Sequence, residues 1–464
     1  MEKSSSTVAK VGGIDSDGSS SPLVIEPYCI FTKTKVFTII FIVSISGMMS
    51  PLSANIYFPA LNNIQKDLDI TAQQVNLTVT AYMIFQGLSP AFWGSLADLW
   101  GRRPVYPITM LIYCVSCIGL ALTQSYGVLL FLRMVQAFGS SSLIAIGAGV
   151  VGDIATPSER GGYYGIYTMG HLLGKRKAKI WIRLLIFLCV AGPVIGPIIG
   201  GLVTGTIGWR WIFWILLIMA TVMLILLILF VPETLRSLVG NGSGYANPTP
   251  SQWFHRHKSL LSSPPAPPQV PPTRSRFLQC PNFFAPFVYL LQMDVLVALV
   301  YGGLLYSCQY AYLVSATRLL NDHYGLTTTQ IGLSFIPQGV CSVIGSHIIG
   351  KFLNWSFAKA VQRYEENHQA AIVDRTQIPL DFPIYHARLR VTGPCFLAAQ
   401  CITVAYGWLF HVNAPLAVPI IFQCIMAFGM AASMAGTQTL MVDLFPRHGA
   451  SITASYNLIR CILG

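Results

Sequence analysis

Charge is scarce in this chain: 10% of its 464 residues are Asp, Glu, Lys or Arg, while 53% are hydrophobic. So few charges cannot cover the surface of a soluble protein of this length, which excludes soluble enzymes and soluble binding modules. A disulfide framework is absent too. The eleven cysteines are scattered, several within apolar runs, as at Cys114, Cys117, Cys341 and Cys401. None has metal-ligand company, so they read as small apolar core residues and no metal site is expected. No Gly-rich Walker loop is present, which argues against ATP as an energy source. No Gly-x-Ser-x-Gly elbow or HExxH helix occurs either, so no catalytic constellation is expected and an enzyme is disfavoured. The first 35 residues lack a signal peptide's apolar stretch and carry Asp15, Asp17 and Glu26. Residues 1–35 read as a disordered cytoplasmic tail.

What the chain has is long apolar runs, at 36–58, 76–97, 105–123, 127–151, a disturbed region 162–204, then 207–231, 287–314, 329–353, 389–411 and 415–439. Several reach the ~20 residues that cross a hydrocarbon core, where a helix satisfies its own backbone hydrogen bonds. A closed β-barrel would instead show short strands of alternating polarity. The chain reads as an all-α, multi-pass membrane protein in contact with the lipid bilayer.

The formal net charge of +12 raises the question of a polyanionic partner, and its distribution answers it. Lys3, Lys10, Lys33 and Lys35 precede the first span, and Arg102 and Arg103 follow the second. Arg236, Arg256, Lys258, Arg274 and Arg276 lie in the middle loop, whereas Lys66 after the first span sits beside Asp67 and Asp69. The positive-inside rule therefore places the N-terminus, the middle loop and 354–388 in the cytoplasm. The charge orients the protein, and no nucleic-acid partner is needed.

Residues 36–231 read as a first six-helix bundle and 285–464 as a second, truncated bundle, joined by a cytoplasmic Pro-rich linker, 232–284. The linker contains PTP at 249–251 and SSPPAPPQVPPT at 262–273. Such a run favours extended polyproline conformations, which could dock an SH3-like domain, but a plain linker between two helical halves is the preferred reading. Asn241 has glycosylation spacing but faces the cytoplasm, and Asn76 faces outward close to a span.

Three motifs carry the functional reading. In GSLADLWGRR, Gly94, Asp98 and Arg102 recur every four residues and share one face at the end of the second span. Gly101 and Pro104 end that helix and start the next, and Arg103 follows Arg102. A carboxylate at a buried edge needs a cation or a helix N-terminus as partner. In the fourth span Arg133 precedes Gln136, Ala137 and Gly139, and an arginine in an apolar run is paired or functional. In AGPVIGPIIGG, Gly192, Gly196 and Gly200 form a stripe of small residues, with Gly201 beside it. Pro193 and Pro197 each delete a backbone donor, so this helix packs closely and bends.

The first motif is similar to the major facilitator superfamily signature Gly-x-Leu-Ala-Asp-x-x-Gly-Arg-Arg. The second resembles its Arg-x-x-Gln-Gly pattern with Ala137 in the last place, and the third its exporter-associated antiporter signature. SANIYFPAL at 53–61, GDIATPSERGGYYG at 152–165, LRSLVGNGS at 235–243 and VDLFP at 442–446 resemble fungal twelve-span drug:proton antiporters. That group includes multidrug-resistance pumps and organic-acid exporters, and the resemblance covers roughly 30 to 464. It implies a major facilitator fold of two six-helix bundles. It also implies a latch at Asp98 and Arg102 as against a static end-of-helix ion pair, and a part for Arg133 and Gln136 in proton coupling as against buried structural pairing. The kinked fifth span would seal the pathway against leak. Small amphipathic drugs or toxins are the first expected cargo, and citrate or other small organic acids the second. The proton gradient is the energy source with no cofactor, the chain is a monomer, and the plasma membrane is its expected location.

Asn55 and Tyr57 are placed by the resemblance in or near the central cavity, and Gln86, Gln309, Tyr310 and Gln338 are further polar candidates there. Other titratable groups in the spans are Asp294 and His347, read as a helix-end residue and a packed core residue. GSHIIGKF at 345–352 is a faded copy of the first motif and fits an internal parallel repeat.

Two departures from the family pattern stand out. KRKAKIWIRLLIFLCVAG follows Gly174 where the family runs almost directly into PVIGPIIGG. The four cations within Lys175–Lys179 would each cost ~2.5–3.5 kcal/mol at mid-membrane, so 175–192 reads as an insertion, with a retained intron as the expected origin. Residues 450–464 resemble the start of an eleventh span, so the second bundle is expected to lack helix 12 and most of helix 11. A truncated gene or a degraded, non-transporting relative is the expectation that follows, with a membrane sensor as the alternative class.

Overall fold

A computed structural model describes residues 29–154, 195–242, 244, 246–254, 291–368, 382–444 and 449–464, and every regular element among them is helical. The first half contains α1 (Lys33–Asn55), a 3-10 turn at Phe58–Ala60, α2 (Leu61–Asp67) and α3 (Ala72–Trp100). It continues with α4 (Arg102–Ala121), α5 (Tyr126–Ser140), α6 (Ser142–Ile154), α7 (Ile195–Thr206) and α8 (Arg210–Phe230). A short α9 (Arg236–Val239) follows. The second half holds α10 (Met293–Tyr324), α11 (Thr328–His368), α12 (Ile384–His411), α13 (Ala417–Leu444) and α14 (Gly449–Leu463).

Eight helical segments among the described residues are long and apolar enough to cross a membrane. Their outer faces carry large apolar side chains, with Ile218 61% and Val404 76% exposed, a surface that lipid and not water must cover. Local signals set the ends. Thr71 and Gln74 form a reciprocal capping box at the start of α3, and Gly325 ends α10 at a positive φ of 62°.

Several boundaries differ from the sequence expectation. Thr32 caps α1 through Lys35, so that helix begins at Lys33 and takes in the end of the 1–35 tail; residues 1–28 lie outside the described residues. The run 127–151 is two helices, broken at Ser141, where the side chains of Ser140 and Ser142 bond to Tyr82 and to the Gly139 carbonyl. The opening of the 232–284 linker is packed structure, because Glu233 is 3% exposed and fixed by backbone donors. Thr249 and Gln252 cap a further turn; residues 255–290 and the 175–192 segment lie outside the described residues.

In the first half α4 packs on α5 and α8, with α3 on α5; in the second, α11, α12 and α13 pack together, and α14 packs on α10. Contacts between the halves are uneven. At the Asn55 end, α7 meets α11, and Thr328 and Thr329 bond to Asn63 and to the Gly201 carbonyl at 3.2 and 3.3 Å. Midway, α14 crosses α3, where Asn457 donates to the Gln86 carbonyl at 3.2 Å. A Cβ on Gly87 would fall 2.9 Å from that of Cys461, whereas one on Gly94, two turns further along the same face, would meet nothing within 4 Å. Among the described residues the halves touch at the Asn55 end and at mid-depth, and α3 is open at Gly94 toward the Asp98 end.

Candidate functional site

Arg133 sits at the centre of the first half, 1% exposed. Its guanidinium donates to Gln136 Oε1 at 2.7 Å, one turn along α5, and lies over the rings of Tyr57 at 4.0 Å and Tyr82 at 4.2 Å. Both hydroxyls are held: Tyr57 to Thr78 at 3.0 Å, and Tyr82 to Ser140 at 3.3 Å. Gln136 in turn donates to Cys117 Sγ at 3.4 Å, while Nε of Arg133 has no partner. Among the described residues, no carboxylate lies within ion-pair distance of Arg133. Aromatic faces offset part of its desolvation, but a guanidinium stays charged, so Arg133 is a buried positive charge with no counter-ion among the described residues.

The second half repeats the theme. Arg460, on α14, donates to Asn457 Oδ1 at 2.5 Å and lies over Tyr306 at 4.5 Å and Tyr456 at 6.0 Å, with its Nε unpartnered. Tyr306 donates to the Tyr310 hydroxyl at 2.9 Å, and the Tyr310 ring meets Phe58 of the first half edge-on at 5.6 Å. A second polar group joins Tyr312, Gln338, Tyr406 and Gln423 through a 3.5 Å bond, a ring contact and a 3.2 Å bond.

At the Asp98 end, Arg102 pairs with Asp98 at 2.6 Å and with Asp153 of α6 at 3.2 Å. Asp98 is 63% exposed, not at a buried edge as its motif position suggested; Asp153, at 15%, is the more buried partner. Glu233 closes the turn behind them. Its carboxylate accepts from the Arg102 amide at 2.9 Å, the Arg103 amide at 3.4 Å and Asn247 at 2.8 Å, placing an anion at the N-terminus of α4. Gly101 makes this approach possible, since its φ is +107° and a Cβ there would overlap Glu233 Oε2. Arg103 reaches away to the carbonyls of Asn247 and Ile228.

The small residues of α7 face two ways. Gly196 and Gly200 lie on the Asn55–Ile56 backbone, where a Cβ on Gly196 would fall 3.0 Å from Asn55 Cβ and one on Gly200 would overlap the Ile56 carbonyl oxygen. Gly201 faces the other half, and its Cβ would lie 2.7 Å from Gly332 Cα and 2.9 Å from the Thr328 carbonyl. Gly192 and Pro193 lie outside the described residues, while Pro197 offers its carbonyl 2.7 Å from a Cβ on Gly332.

Of the cavity candidates, Tyr57 covers Arg133 and Tyr310 stands beside Arg460, while Gln86 lines the crossing of α3 and α14. Asn55 bonds back to the Pro51 carbonyl at 2.7 Å and packs on α7; Gln338 binds Tyr312, and Gln309 is partly exposed. Nothing is described of the side chains of Asp294 and His347. Sequence reasoning missed Asp153, Glu233 and Arg460. The signal for Arg460 was present: it is the sole charged residue in Gly449–Leu463, set among Leu458, Ile459, Cys461 and Ile462.

Comparison with known proteins fits this geometry. The Major Facilitator Superfamily profile matches residues 43–175 and 184–464. Citrate exporter 1 of Aspergillus niger is 36% identical over 444 residues, covering 94% of this chain and 80% of that protein. Multidrug transporter QDR2 of Candida glabrata is 32% identical over 459 residues, covering 94% and 75%. A solved structure of the xylose transporter XylE from E. coli, in a partially occluded inward open conformation, superposes with a TM-score of 0.57 at 14% identity, over 93% of this chain and 90% of that one. That likeness is one of fold.

Proposed function

The chain belongs to the Major Facilitator Superfamily and is a multi-pass membrane transporter, not an enzyme; from that premise we propose that it is a proton-driven exporter of a small organic solute. The solute binds between the halves near mid-depth, and the halves rock about it so that the site faces each side in turn. The observation that carries this reading is the buried Arg133, held between Tyr57 and Tyr82 and hydrogen-bonded to Gln136. A fixed charge held at mid-depth responds to protons or charged solute entering beside it, which is what coupling requires. The contact of Gly201 with Gly332 supports a leak-proof seal at the Asn55 end, and the Asp98, Arg102 and Asp153 group supports a latch at the other.

Small amphipathic drugs or toxins are the first cargo class, in keeping with the multidrug relative. Organic acid anions form the second, and the absence of a carboxylate beside Arg133 among the described residues favours them. The plasma membrane, a cytoplasmic N-terminus and a monomeric state complete the proposal. The test is efflux from preloaded yeast cells expressing the chain. Efflux faster than in cells carrying Arg133→Gln, and abolished by an uncoupler, supports the reading; efflux indifferent to both overturns it.

A further inference from the structure

We propose that Arg460, with Tyr306 and Tyr310, binds a carboxylate group of the transported solute. The inference rests on the exporter reading and selects its cargo class.

Arg460 lies deep in the second half yet is partly accessible, whereas Arg133 is sealed beneath two tyrosines. Of Arg133 and Arg460, Arg460 is therefore the more accessible to a solute in this conformation. Tyr306 covers a face of its guanidinium at 4.5 Å, the Tyr456 ring lies farther off at 6.0 Å, and Asn457 takes a single Nη2 proton. Nε is buried without a partner, and the Nη donors that Asn457 does not take are left to serve a planar, two-oxygen acceptor. Among the described residues no Asp or Glu reaches it, so none of them balances its charge.

Tyr310 adds the second contact. Its hydroxyl oxygen accepts from Tyr306 at 2.9 Å, and its own proton is then available to donate. The Tyr310 ring touches Phe58, and Asn457, which orients Arg460, donates to the Gln86 carbonyl. Both contacts cross between the halves, so a carboxylate placed here is felt by both. A cationic solute would meet like charge. A phosphate dianion would need more donors than one fork and one hydroxyl supply.

The test uses the full chain in lipid vesicles, with labelled citrate, inorganic phosphate and tetraphenylphosphonium as probes under an imposed pH gradient. In the wild type the gradient drives saturable citrate uptake, and excess unlabelled phosphate does not compete. Arg460→Gln raises the half-saturation concentration for citrate roughly 10- to 100-fold, the loss of one charge-assisted contact, without weakening transport of tetraphenylphosphonium. Arg460→Lys keeps the charge but loses the fork and falls between. Tyr310→Phe raises the value about 3- to 10-fold. Wild-type half-saturation in Arg460→Gln overturns the site and leaves the exporter reading standing. Should that variant fail to fold, unchanged values in Arg460→Lys and Tyr310→Phe overturn it as well. A wild-type chain that moves tetraphenylphosphonium but no carboxylate overturns the cargo class alone.

Discussion

Two glycine-to-alanine changes, Gly200→Ala and Gly94→Ala, add the same methyl group to helices of the same half, and their outcomes should differ in sign. At Gly200 the new Cβ would overlap the Ile56 carbonyl oxygen, whereas a relaxed carbon–oxygen contact is about 3.3 Å or longer. Roughly 1 Å of separation must therefore open between two backbones, and no side chain can rotate away to provide it. Overpacking of this kind costs about 1–3 kcal/mol. At Gly94 nothing lies within 4 Å, so alanine there returns only the conformational gain of removing a glycine from a helix, about 0.5–1 kcal/mol. Thermal unfolding of the purified protein, followed by tryptophan fluorescence, should show Gly200→Ala melting below the wild type and Gly94→Ala at or above it. Gly201→Ala makes a third case. Its clash is with Gly332 and Thr328 of the opposite half and can be relieved by the halves parting, so it should shift the conformation more than it lowers stability. Cysteines placed at Gly205 and Thr329 report that parting as lost cross-linking. If Gly200→Ala melts with the wild type, or Gly94→Ala falls as far, the close approach of α7 to α1 is wrong.

Further outcomes follow from the charged groups. Asp98→Asn should cost less than about 1 kcal/mol of unfolding free energy, because Asp98 is exposed, while Asp153→Ala should cost about 3 kcal/mol, because it strips a buried partner from Arg102. Glu233→Ala should cost at least about 2 kcal/mol in the same measurement, since it orphans the amides at the start of α4. Arg133→Lys should not restore efflux to Arg133→Gln cells beyond a small fraction, because an ammonium cannot stack on Tyr57 and Tyr82 while bonding Gln136 as the planar group does. Deleting 175–192, which joins Gly174 to Pro193, should raise flux; flux that falls to background would make that segment a working part of the carrier.

Much of this was legible in the sequence, for reasons particular to each residue. The apolar runs announced the spans, since lipid admits helices of a narrow range of length. Gly101 was legible because a turn between two helices that starts on a positive φ admits little else. Its neighbour Glu233 was not, because it lies more than a hundred residues away and is drawn in by amides, which every sequence offers. Asp153 was hidden in the same way: the motif displays Asp98, but Arg102 divides itself between both carboxylates. Of the glycine stripe, Gly196 and Gly200 both lie toward α1, while Gly201, beside the stripe, faces α11, a contact that the spacing alone did not assign. Arg460 was passed over because a cation near the start of a span reads as a helix-end residue, whereas α14 carries it to the depth of Gln86.

The measurement closest to the central claim is solute uptake by lipid vesicles containing the full chain, with pH as the sole imposed gradient. An acidic lumen should drive labelled solute inward against its own gradient as protons leave, an uncoupler should collapse the accumulation, and Arg133→Gln should show neither effect. Uptake that only equilibrates, at the same rate with and without the pH gradient, would contradict proton-driven export.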